Sequence, residues 1–105
     1  MTEAEDKTAS LLAALWVKNR PMIEQRLMTL DRAAAEAAAG TLGADLRGEA
    51  RMIVHKFSGG LGMYGYDEGT RIAREIEVLL EGAGPVGARL SGLVGELRAA
   101  IFPSG

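Results

Sequence analysis

The chain of 105 residues has no cysteine, one histidine and three prolines. Without cysteine there is no disulfide scaffold and no thiolate metal site. One histidine also leaves a zinc site short of ligands. No apolar run approaches the roughly 20 residues of a membrane span. The opening MTEAEDKTAS is acidic and polar, unlike a signal peptide. The cytoplasm is therefore the expected location, with no membrane partner. Positive charge is not in excess: the net charge is −2, so no broad basic field draws nucleic acid. Runs that alternate apolar and polar residues are scarce, which removes the mark of half-buried strands.

What remains is a sequence rich in alanine, leucine, glutamate and arginine, with apolar residues at helical spacing. The length suits one domain, residues 1–105, with one core. A first short helix is expected at about residues 4–19, with Leu11, Leu12, Leu15 and Trp16 in phase. Asn19-Arg20-Pro21 should interrupt it, because proline disfavours helix at the residue before it and suits the first turn of a new one. The second helix then runs from near Pro21 to Gly40 on a seam of Ile23, Leu27, Leu30, Ala34 and Ala37. Thr41 is the expected N-cap of a third helix over about 42–64, ended by Gly65. Asp67 should cap a fourth over about 68–82. Pro85 should start a fifth, with Phe102-Pro103-Ser104-Gly105 as a tail. Short linkers make successive helices antiparallel neighbours. The predicted fold is all-α: an antiparallel up-down four-helix bundle with a short extra N-terminal helix.

The stretch VHKFSGGLGMYG, residues 54–65, holds the single histidine, His55, and four glycines. On a wheel of about 100° per residue, Leu46, Ala50, Ile53, Val54, Phe57, Leu61 and Tyr64 share one face. His55 falls about 180° from Leu46, so it should meet solvent rather than the core. Gly48, Gly59 and Gly62 fall on the same outer face, with Arg51 and Met52 beside them. Gly60 lies off it. Each glycine inside a helix costs about 1 kcal/mol relative to alanine. A cost of that kind, concentrated around an exposed imidazole, suggests that another surface approaches the backbone there. An imidazole with its ordinary pKa of about 6.5 is largely neutral at cellular pH, hence nucleophilic. With no partner set for hydrolysis, such a ring suits a carrier of an activated group.

These residues resemble the histidine-containing phosphotransfer (HPt) family. Its pattern is a histidine, often a leucine two later and a lysine three later, a glycine four later, and a helix-ending glycine ten later. Here His55 is followed by Phe57, Ser58, Gly59 and Gly65. Tyr64, Tyr66 and the following RIAREIEVLLE, with Glu77, are also similar to the family. The resemblance implies a phosphorelay module of two-component signalling. His55 would take a phosphoryl group on Nε2 from a receiver-domain aspartate and pass it to another. The partners implied are a response-regulator receiver domain or a hybrid histidine kinase. Mg²⁺ would reside in the receiver, so the domain itself needs no cofactor and is a carrier rather than an enzyme. Gly59 would admit the receiver's loops, and Met52, Ser58 and Gly62 would lie in or beside the docking surface.

The family's lysine is replaced by Ser58. Lys56, also on the expected docking side, sits about 100° round the helix from His55 and substitutes poorly. Arg51, about 40° away, is better placed to meet an acidic receiver pocket; the alternative for it is an ordinary solvated charge. Glu77 is expected to help fix helix packing through an ion pair. The competing function is a helical adapter that binds a receiver or kinase without phosphotransfer. A monomer is expected.

Overall fold

The computed structural model describes residues 3–82 and 84–102, with side chains from Asp6 onward. The described chain contains four α-helices and one 3₁₀ turn: α1 (Glu3–Ala39), α2 (Ala44–Gly60), η1 (Leu61–Tyr64), α3 (Asp67–Glu81) and α4 (Arg89–Ile101). α1 packs against α2 and α4, and α3 packs against α2 and α4, so the four helices close a ring. Leu27, Leu30, Val54, Ile76, Leu80, Leu90, Val94, Leu97 and Ile101 fill its centre. No helix among the described residues is long and apolar enough to cross a membrane.

The separate short N-terminal helix expected from Pro21 is absent. Residues 3–39 form one helix with Pro21 inside it. A proline in a helix interior costs about 3 kcal/mol, because it lacks an N–H and crowds the carbonyl four residues before. The helix continues because its packing phase does: Leu12, Trp16, Ile23, Leu27, Leu30, Ala34 and Ala37 follow one succession of helical steps across the proline. Trp16 meets Tyr66, Tyr64 and Phe102 at ring-centroid distances of 4.6, 5.2 and 5.8 Å. Three such aromatic pairs contribute about 1.5–4.5 kcal/mol beyond area burial, a contribution of the same size as the cost of the proline. Arg20 adds an ion pair to Glu24 at 3.0 Å and lies 4.7 Å from the Phe102 ring centre.

α1 ends at Gly40 as expected. Gly40 takes φ +77°, and the N–H groups of Gly40 and Thr41 donate to the carbonyls of Ala37 and Glu36. That is a Schellman closure, and it needs a left-handed residue that glycine supplies without strain. Thr41 serves this end rather than the next beginning. Its hydroxyl bonds back to Glu36, and the N-cap of α2 is Gly43. The same closure recurs at Gly65, where φ is +84° and Gly65 and Tyr66 donate to Gly62 and Leu61.

α3 starts at Asp67, one residue before the expected position, with Tyr66 as N-cap. Asp67 and Glu68 sit in its first turn, where negative charge meets the positive end of the helix dipole. Pro85 does not begin the last helix. Gly87 adopts φ +61°, a left-handed turn incompatible with helix, and α4 begins at Arg89. Of the expected tail, residues 103–105 lie outside the described residues.

Candidate functional site

α2 presents two unlike faces. Ala50, Ile53, Val54 and Phe57 are buried, with Leu46 half-buried and, beyond the end of α2, Tyr64 of η1 half-buried as well. His55 points away from them, its side chain 69% exposed. Its Nδ1 lies 2.6 Å from Oε2 of Glu77 on α3. An ionised carboxylate only accepts hydrogen bonds. Opposite an ionised Glu77 the donor is Nδ1, and in the neutral ring this leaves the lone pair on Nε2, which no group among the described residues engages.

Glu77 is held beside His55 by its place on α3. Its neighbours Ala73, Ile76 and Leu80 are buried, so its backbone is fixed against α2. The carboxylate stands at the edge of that apolar face, only 20% exposed. A signal for the pairing existed in the sequence. The chain reverses at the Gly65 closure, and residues equally far from Tyr66 on either side, 55 and 77, come level with each other. Arg47 shows the same reversal further along, donating to the carbonyls of Leu80 at 3.0 Å and Gly84 at 2.9 Å. It thereby satisfies the Leu80 carbonyl in the last turn of α3, which lacks a helical partner, and ties the following loop at Gly84 to α2.

His55 and Glu77 share an open hollow of about 370 Å³ with Gly48, Arg51 and Met52. Arg51 and Lys56 take part in no ion pair or hydrogen bond among the described residues, so their charges are uncommitted. Lys56 belongs to an adjoining hollow of about 480 Å³, which shares Gly48 and Met52 and is walled by Met22, Arg26 and Thr29 of α1. A side-chain Cβ at Gly48 or at Gly59 would meet nothing within 4 Å. Internal packing therefore does not require glycine at either position.

Two expected docking residues stand apart from the hollow. Ser58 is half-buried, and its hydroxyl donates to the His55 carbonyl at 2.8 Å. Gly62 lies in η1, where the tighter 3₁₀ turn no longer follows the α-helical wheel. A Cβ there would point at Thr70 of α3, 3.7 Å away. Gly62 lines a different hollow of about 780 Å³, with Thr70, Arg71, Arg74 and Arg89. In that hollow Arg71 is held by Glu68 and Glu75. The hydrogen bond from Arg71 lowers the Glu68 carboxyl below its usual range.

Among the described residues no group of three or more His, Asp or Glu gathers that could hold a metal ion. The arrangement at His55 suits a solvent-facing nitrogen nucleophile whose other nitrogen is fixed by a carboxylate. Compared with protein-family models, curated proteins and solved structures, the chain matches none.

Proposed function

We propose that the chain is a phosphorelay carrier of the HPt type, in which His55 accepts a phosphoryl group from a receiver-domain aspartate and hands it to another receiver. The observation that carries this reading is the state of one ring: Nδ1 bonded to Glu77 at 2.6 Å and Nε2 open to solvent on a helix face. In the accepting step the Nε2 lone pair attacks phosphorus. The N–P bond forms, the P–O bond to the donor aspartate breaks, and the aspartate leaves as a carboxylate. The proton on Nδ1 stays in its bond to Glu77, whose negative charge offsets the positive charge on the phosphorylated ring. The second transfer reverses these bond changes onto another aspartate.

The domain in this reading is substrate and carrier, with Mg²⁺ supplied in the receiver. Arg51, Met52, Lys56 and Gly59 form the docking surface, and the two cations draw an acidic partner. The closed ring of helices supports an up-down antiparallel bundle. So do the pairings of Arg32 with Glu49, His55 with Glu77, and Asp31 with Arg98.

Incubation with a phosphorylated receiver domain tests the reading through acid-labile phosphate on the chain. Labelling is expected for the parent and a complete loss for His55→Gln, whose exposed position leaves the fold intact. Retention of label by His55→Gln would refute the site. A chain that binds receivers but takes label from none of them would be an adapter.

A further inference from the structure

The first half of α1 is a helix that the bundle leaves largely uncovered. At about 1.5 Å per residue its 37 residues span about 55 Å, against about 20–26 Å for α2, α3 and α4. The molecule is accordingly 52 Å long and only 22 by 21 Å across. None of the described residues ahead of Ile23 is buried. Yet residues 8–17, TASLLAALWV, carry no charge at all. Ala9, Leu12, Ala13, Trp16 and Val17 border an open hollow beside η1 and Tyr66, yet Val17 stays 69% exposed, next to Met63 at 60%, and Leu11, outside the hollow, is 66% exposed. A helix apolar around most of its circumference is one that packs against something.

The charges at its two ends indicate what. Lys7 and Lys18 flank the uncharged stretch directly, at about 120° and 140° from Ala13 round the helix. Asp6 and Arg20 lie just beyond them on the Ala13 side. They are two heptads apart, so they lie within about 40° of each other on the helix, with Ala9, Ala13 and Val17 on the strip between. Asp6 has no partner among the described residues, and Arg20 keeps its side chain 55% exposed while holding Glu24. A parallel copy would set Asp6 against Asp6 and Arg20 against Arg20. An antiparallel copy, turned about an axis through Ala13, sets Asp6 against Arg20 at both ends and Ala9 against Val17 between them. The surface is therefore complementary in charge to itself in one orientation only.

We propose that a second copy of this chain covers the arm: two α1 helices pair antiparallel across a two-fold axis at Ala13, giving an isologous dimer with a helix bundle at each end. The alanines on the strip let the two backbones approach closely. This replaces the monomer expected from sequence and stands independently of the chemistry at His55.

The chain has no native cysteine, so single introduced cysteines report the pairing directly, since a disulfide needs Cα atoms within about 7 Å. Sedimentation velocity of the full chain from about 1 μM to about 1 mM is expected to move from 11.1 kDa toward twice that mass. High salt should weaken the association. Under mild oxidation Ala13→Cys should link to itself. Ala9→Cys and Val17→Cys should link to each other when mixed and not to themselves. Leu11→Cys, about 160° from Ala13 round the helix, should not link. A chain that stays at 11.1 kDa throughout overturns the proposal. So does a dimer in which Ala9→Cys and Val17→Cys each self-link, which marks a parallel pair, or one that links through Leu11→Cys and not Ala13→Cys.

Discussion

The two faces of α2 are built from one stretch of seventeen residues and obey opposite rules. On the inner face every position is filled: Ala50 and Val54 are wholly buried, and Phe57 nearly so. On the outer face, positions are left empty. Gly48 and Gly59 have open space where a side chain would stand, and the imidazole between them makes one hydrogen bond among the described residues, to Glu77. Packing therefore explains the inner residues and does not explain the outer ones, which suit the docking proposed above. A substitution on the first face should change stability and leave the chemistry alone. A substitution on the second should do the reverse.

The largest effect is expected from Phe57→Ala, which empties a buried aromatic site and should cost about 3–5 kcal/mol in urea unfolding. Its folded fraction should still accept phosphate at the parent rate. A selective loss of transfer in that fraction would break the division between the faces. Glu77→Ala comes next. Removing the partner of a reactive imidazole should slow transfer about 10–100-fold, by analogy with the loss of groups that orient ligating histidines. Glu77→Gln, which keeps an acceptor for Nδ1–H, should retain more activity. Nitrogen chemical shifts of the His55 ring should show Nδ1–H dominant in the parent and less so in Glu77→Ala, a readout that general destabilisation does not move.

Arg51→Ala should lower the transfer rate about 10-fold or less and flatten its dependence on salt, with unfolding unchanged within about 0.5 kcal/mol. An unchanged rate and salt slope would make Arg51 an ordinary surface charge. The smallest and sharpest test is Gly59→Ala. Alanine should stabilise the helix by up to about 1 kcal/mol, since its Cβ meets nothing. In the proposed docking it should nevertheless slow transfer, because the methyl would stand where the partner approaches. Added stability with undiminished transfer would remove the argument for clearance at that position.

Much of this was legible before the structure, for a definite reason. The burial of Ile53, Val54 and Phe57 and the exposure of His55 follow from angular position alone, and period carries that information. Gly40 and Gly65 were legible because a left-handed closure leaves few alternatives to glycine. What was not legible depends on partners distant in sequence. Pro21 is tolerated because Trp16 reaches Tyr64, Tyr66 and Phe102, and nothing within α1 reveals those rings. Glu77 reads as an acid that makes an ion pair, but its partner is 22 residues away, and naming it requires the reversal at Gly65 as well as the helix pattern. Gly62 was put on the histidine face by a wheel that stops being valid at Leu61, where the helix tightens. Thr41 offered two capping roles with one hydroxyl, and the end of α1 took it.

Pro21 has a mechanical consequence for α1. It supplies no N–H, so the carbonyl of Val17, four residues earlier, goes without its rung in the ladder. The helix is continuous in shape but jointed in cooperativity. The turns from Ile23 onward are anchored in the core, whereas the turns before Pro21 are tied to the bundle through one aromatic cluster, Trp16 with Tyr64, Tyr66 and Phe102. Whatever bends or grips the arm is therefore felt by the bundle through those rings rather than through the helix ladder.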